Sequence, residues 1–358
     1  MKATGKMKLV LEDGREFTGN ACGAAAAAVG ELVFNTSMVG YQEILSDPSY
    51  KGKIVLMTYP PMGQYGINDD DYESRAARPA ALIVKECCNT PSNYRYTRTL
   101  SEELEEHGLP CVEGLDTRML TRIIRDNGPL KAAVVDESVS KEEALRMIGE
   151  CPSDSRLAAG VSCTKRWFSR TPRHSYDVVV IDCGLKHTVV EALNRRGCNV
   201  TVVPFNCQAS EILAFNPDGV LVSSGPGDPH SMTEVIECVK ALKGKLPLAG
   251  TGLGHNIIGL SYGVDSVKLP CGNYGGSPVR RISDGRIVTA EHCNAYCFDP
   301  ESLKGSPLEP TYTIIPGGGN DGVRCEADRV ISVQFYPEGG PGPGETDFFD
   351  QFINLMKK

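Results

Sequence analysis

The sequence predicts an α/β protein in two parts, and two observations carry that prediction. From Asp177 onward, continuous apolar runs alternate with amphipathic helical stretches, the pattern of strands buried on both faces of a mostly parallel, doubly wound sheet. Ahead of that region, short β runs such as "MKLVLEDG" and "KIVLMTYP" mix with glycine-rich turns and helices, which predicts a separate, smaller α/β unit. A chain of 358 residues holds two domains with a core each.

In the first part "SEELEEHG" and "TRMLTRIIRDNG" read as helices. In the second of these, Met119, Leu120, Ile123 and Ile124 fall on one face and Gly128 follows the end. "SKEEALRMIGE" (140–150) is a further amphipathic helix. Periodicity then fades and Pro, Ser and Arg accumulate over 151–176, which reads as a linker between a domain at 1–150 and one at 177–358. In the second domain "DVVVIDCG", "CNVTVVP", "DGVLVSS" and "LPLAGT" are strands, and "LKHTVVEALNRRG", "SMTEVIECVKALKG" and "GHNIIGLSYG" are helices. The loops "SSGPGDP" and "AGTGLGHN" follow strands directly. In a doubly wound sheet ligands lie beyond the carboxyl ends of the strands, so both loops are expected to line one pocket.

Bulk properties exclude several classes. A formal charge of −8 argues against a general nucleic-acid or anionic-membrane binder. No apolar run reaches the roughly 20 residues of a bilayer span. "MKATGKMKLVLEDG" lacks a signal-peptide apolar core, so a cytoplasmic location is expected. The fourteen cysteines are scattered without a C-x-x-C spacing, and reduced, mostly buried thiols are the expectation. "HCNAYC" (292–297) comes nearest to a metal cluster but has no second ligand pair at useful spacing, so no metal is expected. The alanine run at 24–28 reads as tight packing.

"PLAGTGLGHNIIGLSYG" (247–263) has the outline of a nucleophile elbow, a strand running through a tight turn into a helix, yet Gly252 stands at the turn. With "GELVFNTSMVGYQEILSDPSY", "DTRMLTRIIRDNG", "SSGPGDP" and "VQFYPEGGPGP" in this order, the chain resembles the small, glutamine-hydrolysing subunit of carbamoyl-phosphate synthetase. The first two stretches resemble that family's N-terminal domain, and the later ones class I glutamine amidotransferases generally. The resemblance implies an N-terminal α/β docking domain followed by a class I glutamine amidotransferase-like domain.

The family reaction needs a cysteine thiolate to attack the glutamine amide, a histidine to activate it and a carboxylate to orient the histidine. By resemblance, Gly252 occupies the nucleophile position and Tyr336 the base position, while Glu338 keeps the acid. Glycine offers no nucleophile, and a phenol with pKa near 10 is a poor base at neutral pH. No intact triad is therefore expected. A vestigial glutamine pocket would comprise Ser49, Gly225, Gly227, the Leu253 amide of an oxyanion hole, and Asn256, one methylene shorter than the family Gln. Bland alternatives stand beside these. "SGPGDP" could be only a turn, Ser49 a turn cap, and His255 a packing residue rather than a surrogate base. Cys293 and Cys297 sit on no elbow.

The functional expectation is a small subunit that has lost glutaminase activity and serves as scaffold or activator of an ammonia-dependent large subunit. ATP and bicarbonate would belong only to that large subunit, so this chain needs no cofactor. Glutamine or another small ligand is the further candidate partner. The alternative is a stand-alone regulatory or small-ligand-binding protein.

Overall fold

A computed structural model describes residues 5–75, 79–151, 157–340 and 344–357. It divides into two compact units, Met1–Ser153 with Pro270–Gly275, and Asp154–Leu269 with Gly276–Lys358. The α/β class predicted for both is present.

The first unit is built on strands β1 (Lys6–Leu11), β2 (Glu16–Ala21), β3 (Ala28–Asn35), β4 (Lys53–Met57), β5 (Ala81–Val84), β6 (Cys111–Glu113) and β7 (Leu130–Asp136). They close into a barrel in the order β1-β2-β6-β5-β4-β3-β7, which removes free sheet edges. Helix α1 (Leu100–Glu106) starts with a capping box in which Thr99 and Glu102 satisfy each other's backbone donors. Helix α2 (Thr117–Asn127) starts at Asp116, whose carboxylate accepts the Met119 N–H at 2.9 Å, and stops at Gly128 with φ 84°. Such a cap is worth about 1 kcal/mol. Leu120 and Ile124 are buried against β-strand residues including Leu32 and Ile54. Met119, read as part of the same apolar face, is instead 41% exposed, because the apolar stripe spans one residue per turn more than the barrel covers. Helix α3 (Lys141–Glu150) packs Ala144 and Ile148 on Val10, Ala133 and Val135.

Two expectations for this unit are corrected. The alanine run is a connection from β2 to β3 with Ala25 and Ala27 exposed, not a tightly packed segment. Cys22 and Cys111, expected as thiols, form a disulfide with Cα atoms 5.1 Å apart across 89 positions of sequence. Pairing of Ala21 with Val112 sets the two cysteines opposite each other, a neighbourhood that only the barrel creates.

The second unit holds a ten-stranded sheet, apart from residues 270–275 of one strand: β8 (Trp167–Ser169), β9 (Tyr176–Asp182), β10 (Cys198–Pro204), β11 (Gly219–Val222), β12 (Leu248–Thr251), β13 (Ser266–Arg281), β14 (Ile287–Phe298), β15 (Glu309–Ile314), β16 (Asn320–Cys325) and β17 (Val330–Val333). Its order is β8-β10-β9-β11-β12-β17-β16-β15-β13-β14. The five strands β10, β9, β11, β12 and β17 are mutually parallel and form the predicted doubly wound core. Antiparallel strands extend it on both sides. Helices α4 (His187–Arg195) and α7 (Phe348–Met356) cover one face through Val189, Leu193, Phe349 and Phe352. Helices α5 (Thr233–Leu242) and α6 (Leu253–Ser261) cover the other through Val235, Val239, Ile257 and Ile258.

Of the stretch read as a linker, residues 152–156 lie outside the described residues. Trp167–Ser169 within it is the edge strand β8, paired antiparallel with β10. Three residues carry no visible period, which is why the sequence hid it.

Candidate functional site

The carboxyl ends of β11, β12 and β17 carry the residues singled out from the sequence, Ser49 excepted. The path β12–Gly252–α6 is the predicted elbow, with Gly252 at φ 54° and ψ −114°. Its N–H donates to Val333 O at 3.0 Å, and its carbonyl accepts from His255 N–H at 3.1 Å. This conformation is one that L side chains rarely adopt. The turn is also tight, since a Cβ placed on Gly252 would lie 3.0 Å from the Ser224 Cβ. Ordinary carbon contacts fall at about 3.5–4.0 Å. A side chain at residue 252 would thus require Ser224 to give by a few tenths of an ångström.

The end of β11 lies against the elbow, with Gly254 N–H donating to Ser223 O at 3.2 Å. Gly225 is dictated by packing: a Cβ there would stand 2.0 Å from the Cys183 carbonyl oxygen. Gly227 holds a positive φ of 101°. Both glycines are needed for the loop to exist, whatever the loop binds. Leu253 opens α6 at the first helical position, where backbone N–H groups have no intrahelical acceptor.

Asn256 is buried and committed inward. Its Nδ2 donates to Gln334 Oε1 at 2.8 Å and to Gly252 O at 3.3 Å, and its Oδ1 accepts from Ser266 Oγ at 2.9 Å. It braces the elbow against the neighbouring strands. His255 is buried as well: Nδ1 lies 2.8 Å from Ser332 Oγ, Nε2 has no hydrogen-bond partner among the described residues, and the ring stacks on Phe298 at 4.1 Å. Burial pushes its pKa down to about 3, so the imidazole is neutral and packed inside the protein.

Glu338, the acid position by resemblance, meets a lysine. Glu338 Oε1 lies 3.0 Å from Lys186 Nζ, and both side chains are almost fully buried. The same ammonium sits 4.2 Å from the centroid of the Tyr336 ring, a cation–π contact strengthened by desolvation. Tyr336 is itself buried, and its N–H donates to Glu291 O at 2.9 Å. The chain thus groups a carboxylate, an ammonium and an aromatic face at this point. Lys186 was missed in the sequence reading. Its signal was a lone cation in "CGLKHT", between an apolar strand and a helix, at the ligand end of the sheet.

Ser49 belongs to the first unit, whereas the other site residues belong to the second. It is buried in a 3₁₀ turn, Pro48–Tyr50, and its N–H donates to Asp47 Oδ1 at 2.8 Å. The cap of that turn is therefore Asp47. In β14, His292 Nδ1 meets Ala290 O at 3.0 Å and Nε2 meets Asp321 Oδ2 at 3.0 Å. Burial opposes its charge, but the Asp321 carboxylate outweighs burial and raises its pKa. Burial, then Asp299, raises that of the Cys297 thiol, so this thiol is not an activated nucleophile. Among the described residues no three His, Cys, Asp or Glu side chains are grouped to hold a metal ion, and no helix is long and apolar enough to cross a membrane.

Residues 9–134 match the family "Carbamoyl-phosphate synthase small chain, CPSase domain", and residues 179–355 match "Glutamine amidotransferase class-I". The carbamoyl phosphate synthase small chain of Oceanobacillus iheyensis is 41% identical over 98% of this chain and 96% of its own. That of Bacillus caldolyticus is 42% identical over 99% of this chain and 97% of its own. Among solved structures, a glutamine amidotransferase from Thermotoga maritima aligns over 51% of this chain and 82% of its own, with 14% identity and a TM-score of 0.38. Sequence likeness to the small chains over nearly the whole length places the chain in the carbamoyl phosphate synthase small chain family, with a glutamine amidotransferase domain in its second half.

Proposed function

We propose that this chain is a small subunit without glutaminase activity, which binds the large subunit of a carbamoyl phosphate synthase and supports its use of free ammonia. One observation carries the reading: the strand–turn–helix elbow is kept, but Gly252 at its turn has no side chain to act as nucleophile. The Lys186–Glu338 pair points the same way, because the carboxylate that would orient a base is engaged by an ammonium. Two of three triad positions lack the required chemistry, and neither nearby candidate replaces it. His255 is neutral and buried, and the Cys297 thiol has a raised pKa. ATP and bicarbonate chemistry would reside on the large subunit.

The test is co-expression with the cognate large subunit, with carbamoyl phosphate measured on glutamine or on ammonium. Synthesis from ammonium alone is expected. Glutamine-supported synthesis above the ammonium background would refute the loss of glutaminase activity. Failure of the two chains to associate would refute the scaffold role.

A further inference from the structure

The barrel of the first unit closes at a short seam. Strands β2 and β6 are in register at Asn20 opposite Glu113 and Ala21 opposite Val112, whereas β1 and β2 run together from Lys6 opposite Asn20 to Val10 opposite Glu16. Past the seam the two segments stay close, with Cys22 N–H donating to Cys111 O at 3.0 Å and Ala24 N–H to Leu109 O at 2.8 Å. At Gly23 a Cβ would stand 2.5 Å from the Leu109 carbonyl oxygen. The Cys22–Cys111 disulfide is the covalent bond across this seam. A barrel hides its strand edges while every seam holds, and parting β2 from β6 would bare an edge on each.

Two observations mark the bond as exchangeable. Cys163, Cys183, Cys198, Cys207 and Cys238 of the same chain stand as thiols. A chain that keeps this many thiols suits a reducing environment, and a disulfide formed in such a place is usually transient and redox-sensing. The two sulfurs also differ in access. Cys111 is fully buried, while Cys22 retains 8% exposure beside the connection that carries exposed Ala25 and Ala27. Thiol–disulfide exchange depends on which sulfur can be reached, so a small reagent meets Cys22 first.

We propose that Cys22 and Cys111 are a thiol–disulfide switch that locks and releases the β2–β6 seam, with low-molecular-weight thiols and disulfides of the glutathione class as reactants. On oxidation the Cys22 thiolate attacks one sulfur of the small disulfide, forming a mixed disulfide as the first small thiolate leaves. The Cys111 thiolate then attacks Cys22 Sγ, the Cys22–Cys111 bond forms, and the second small thiolate leaves. Two protein thiols are oxidised, one small disulfide is reduced to two thiols, and the two cysteine protons end on those thiols. Reduction runs the same steps in reverse. The bond spans 89 positions, and closing a longer loop restricts the unfolded chain more, so its loss acts on the whole unit as well as on the seam.

The full-length chain is equilibrated in reduced and oxidised glutathione over a range of ratios. Thiols are then alkylated under denaturing conditions, and mass spectrometry of the peptides carrying Cys22 and Cys111 reads their state. The pair is expected to interconvert reversibly. In the reduced state the Cys22 and Ala24 amides should exchange hydrogen at least about tenfold faster, and the melting temperature should fall by about 4 °C or more. Cys22→Ser is expected to match the reduced wild type and to ignore the glutathione ratio. Should that variant fail to fold, the two states of the wild type are compared alone. Both cysteines alkylated at every ratio, a bond that survives excess dithiol in the folded chain, equal amide exchange in the two states, or a melting shift that persists in Cys22→Ser would each overturn the switch.

Discussion

Replacing Gly252 with cysteine and Tyr336 with histidine writes the family residues back into the triad, and the geometry argues that activity does not return with them. A cysteine at φ 54° sits in backbone space that costs an L residue about 1–3 kcal/mol. Its Cβ would stand 3.0 Å from the Ser224 Cβ, and relieving such overpacking costs about 1–3 kcal/mol more. Together these remove about 2–6 kcal/mol from a stability of order 5–15 kcal/mol. The new imidazole would then need Glu338, which already sits 3.0 Å from Lys186 Nζ. A misdirected base forfeits an acid–base contribution of about 10²–10⁴ in rate. In the complex with the large subunit, glutamate release by the double variant is expected at least about 10²-fold below an ordinary enzyme turnover of about 10 s⁻¹. The melting temperature is expected to fall. Turnover on the order of 1 s⁻¹, or an unchanged melting temperature, would refute the reasoning.

Two further expectations follow from the same unit. Lys186→Met leaves the buried Glu338 carboxylate without its ammonium and should lower stability by about 3–5 kcal/mol, read from the urea midpoint. Adding Glu338→Gln should recover part of the loss, and a fully stable single variant would show that the pair is not a buried charge pair. His230 lies between Asp265, 2.8 Å from Nε2, and Asp228, 2.9 Å from Nδ1, and hydrogen bonding first to Asp265 and then to Asp228 outweighs burial to raise its pKa. A raised folded pKa stabilises fully below the unfolded value near 6.5 and ceases to stabilise as pH climbs through the folded value. The melting-temperature gap between wild type and His230→Ala should therefore be widest below about pH 6 and shrink at alkaline pH. A gap that widens with pH would contradict the assignment.

The parallel core was legible because buried strands such as "DVVVID" are apolar throughout and their helices keep a helical period. The antiparallel extension was less so. In β13 and β14 exposed, half-buried and buried residues follow no steady alternation, so no single period marks them. Closure of the first unit into a barrel was also hidden, since it depends on pairings such as β3 with β7 that join distant segments. The amphipathic reading of α2 placed Leu120 and Ile124 correctly inside but counted Met119 with them, because a period marks a direction and not how wide a neighbour's cover is.

What the sequence determined by itself is residue identity: Gly252, Tyr336 and Glu338 at the positions that, by resemblance, would hold a thiol, an imidazole and an acid. These follow from identity and order along the chain, which need no coordinates. What only the tertiary structure decided is who meets whom. Ser224 against the elbow, Lys186 between Glu338 and the Tyr336 ring, and Cys22 opposite Cys111 are neighbours brought together from distant positions. Contact energies depend on distances of a few ångströms, and sheet order sets those distances. By resemblance Gly252 and Tyr336 stand at the nucleophile and base positions; the fold sets Glu338 beside Lys186 and puts a Cβ at residue 252 within 3.0 Å of the Ser224 Cβ.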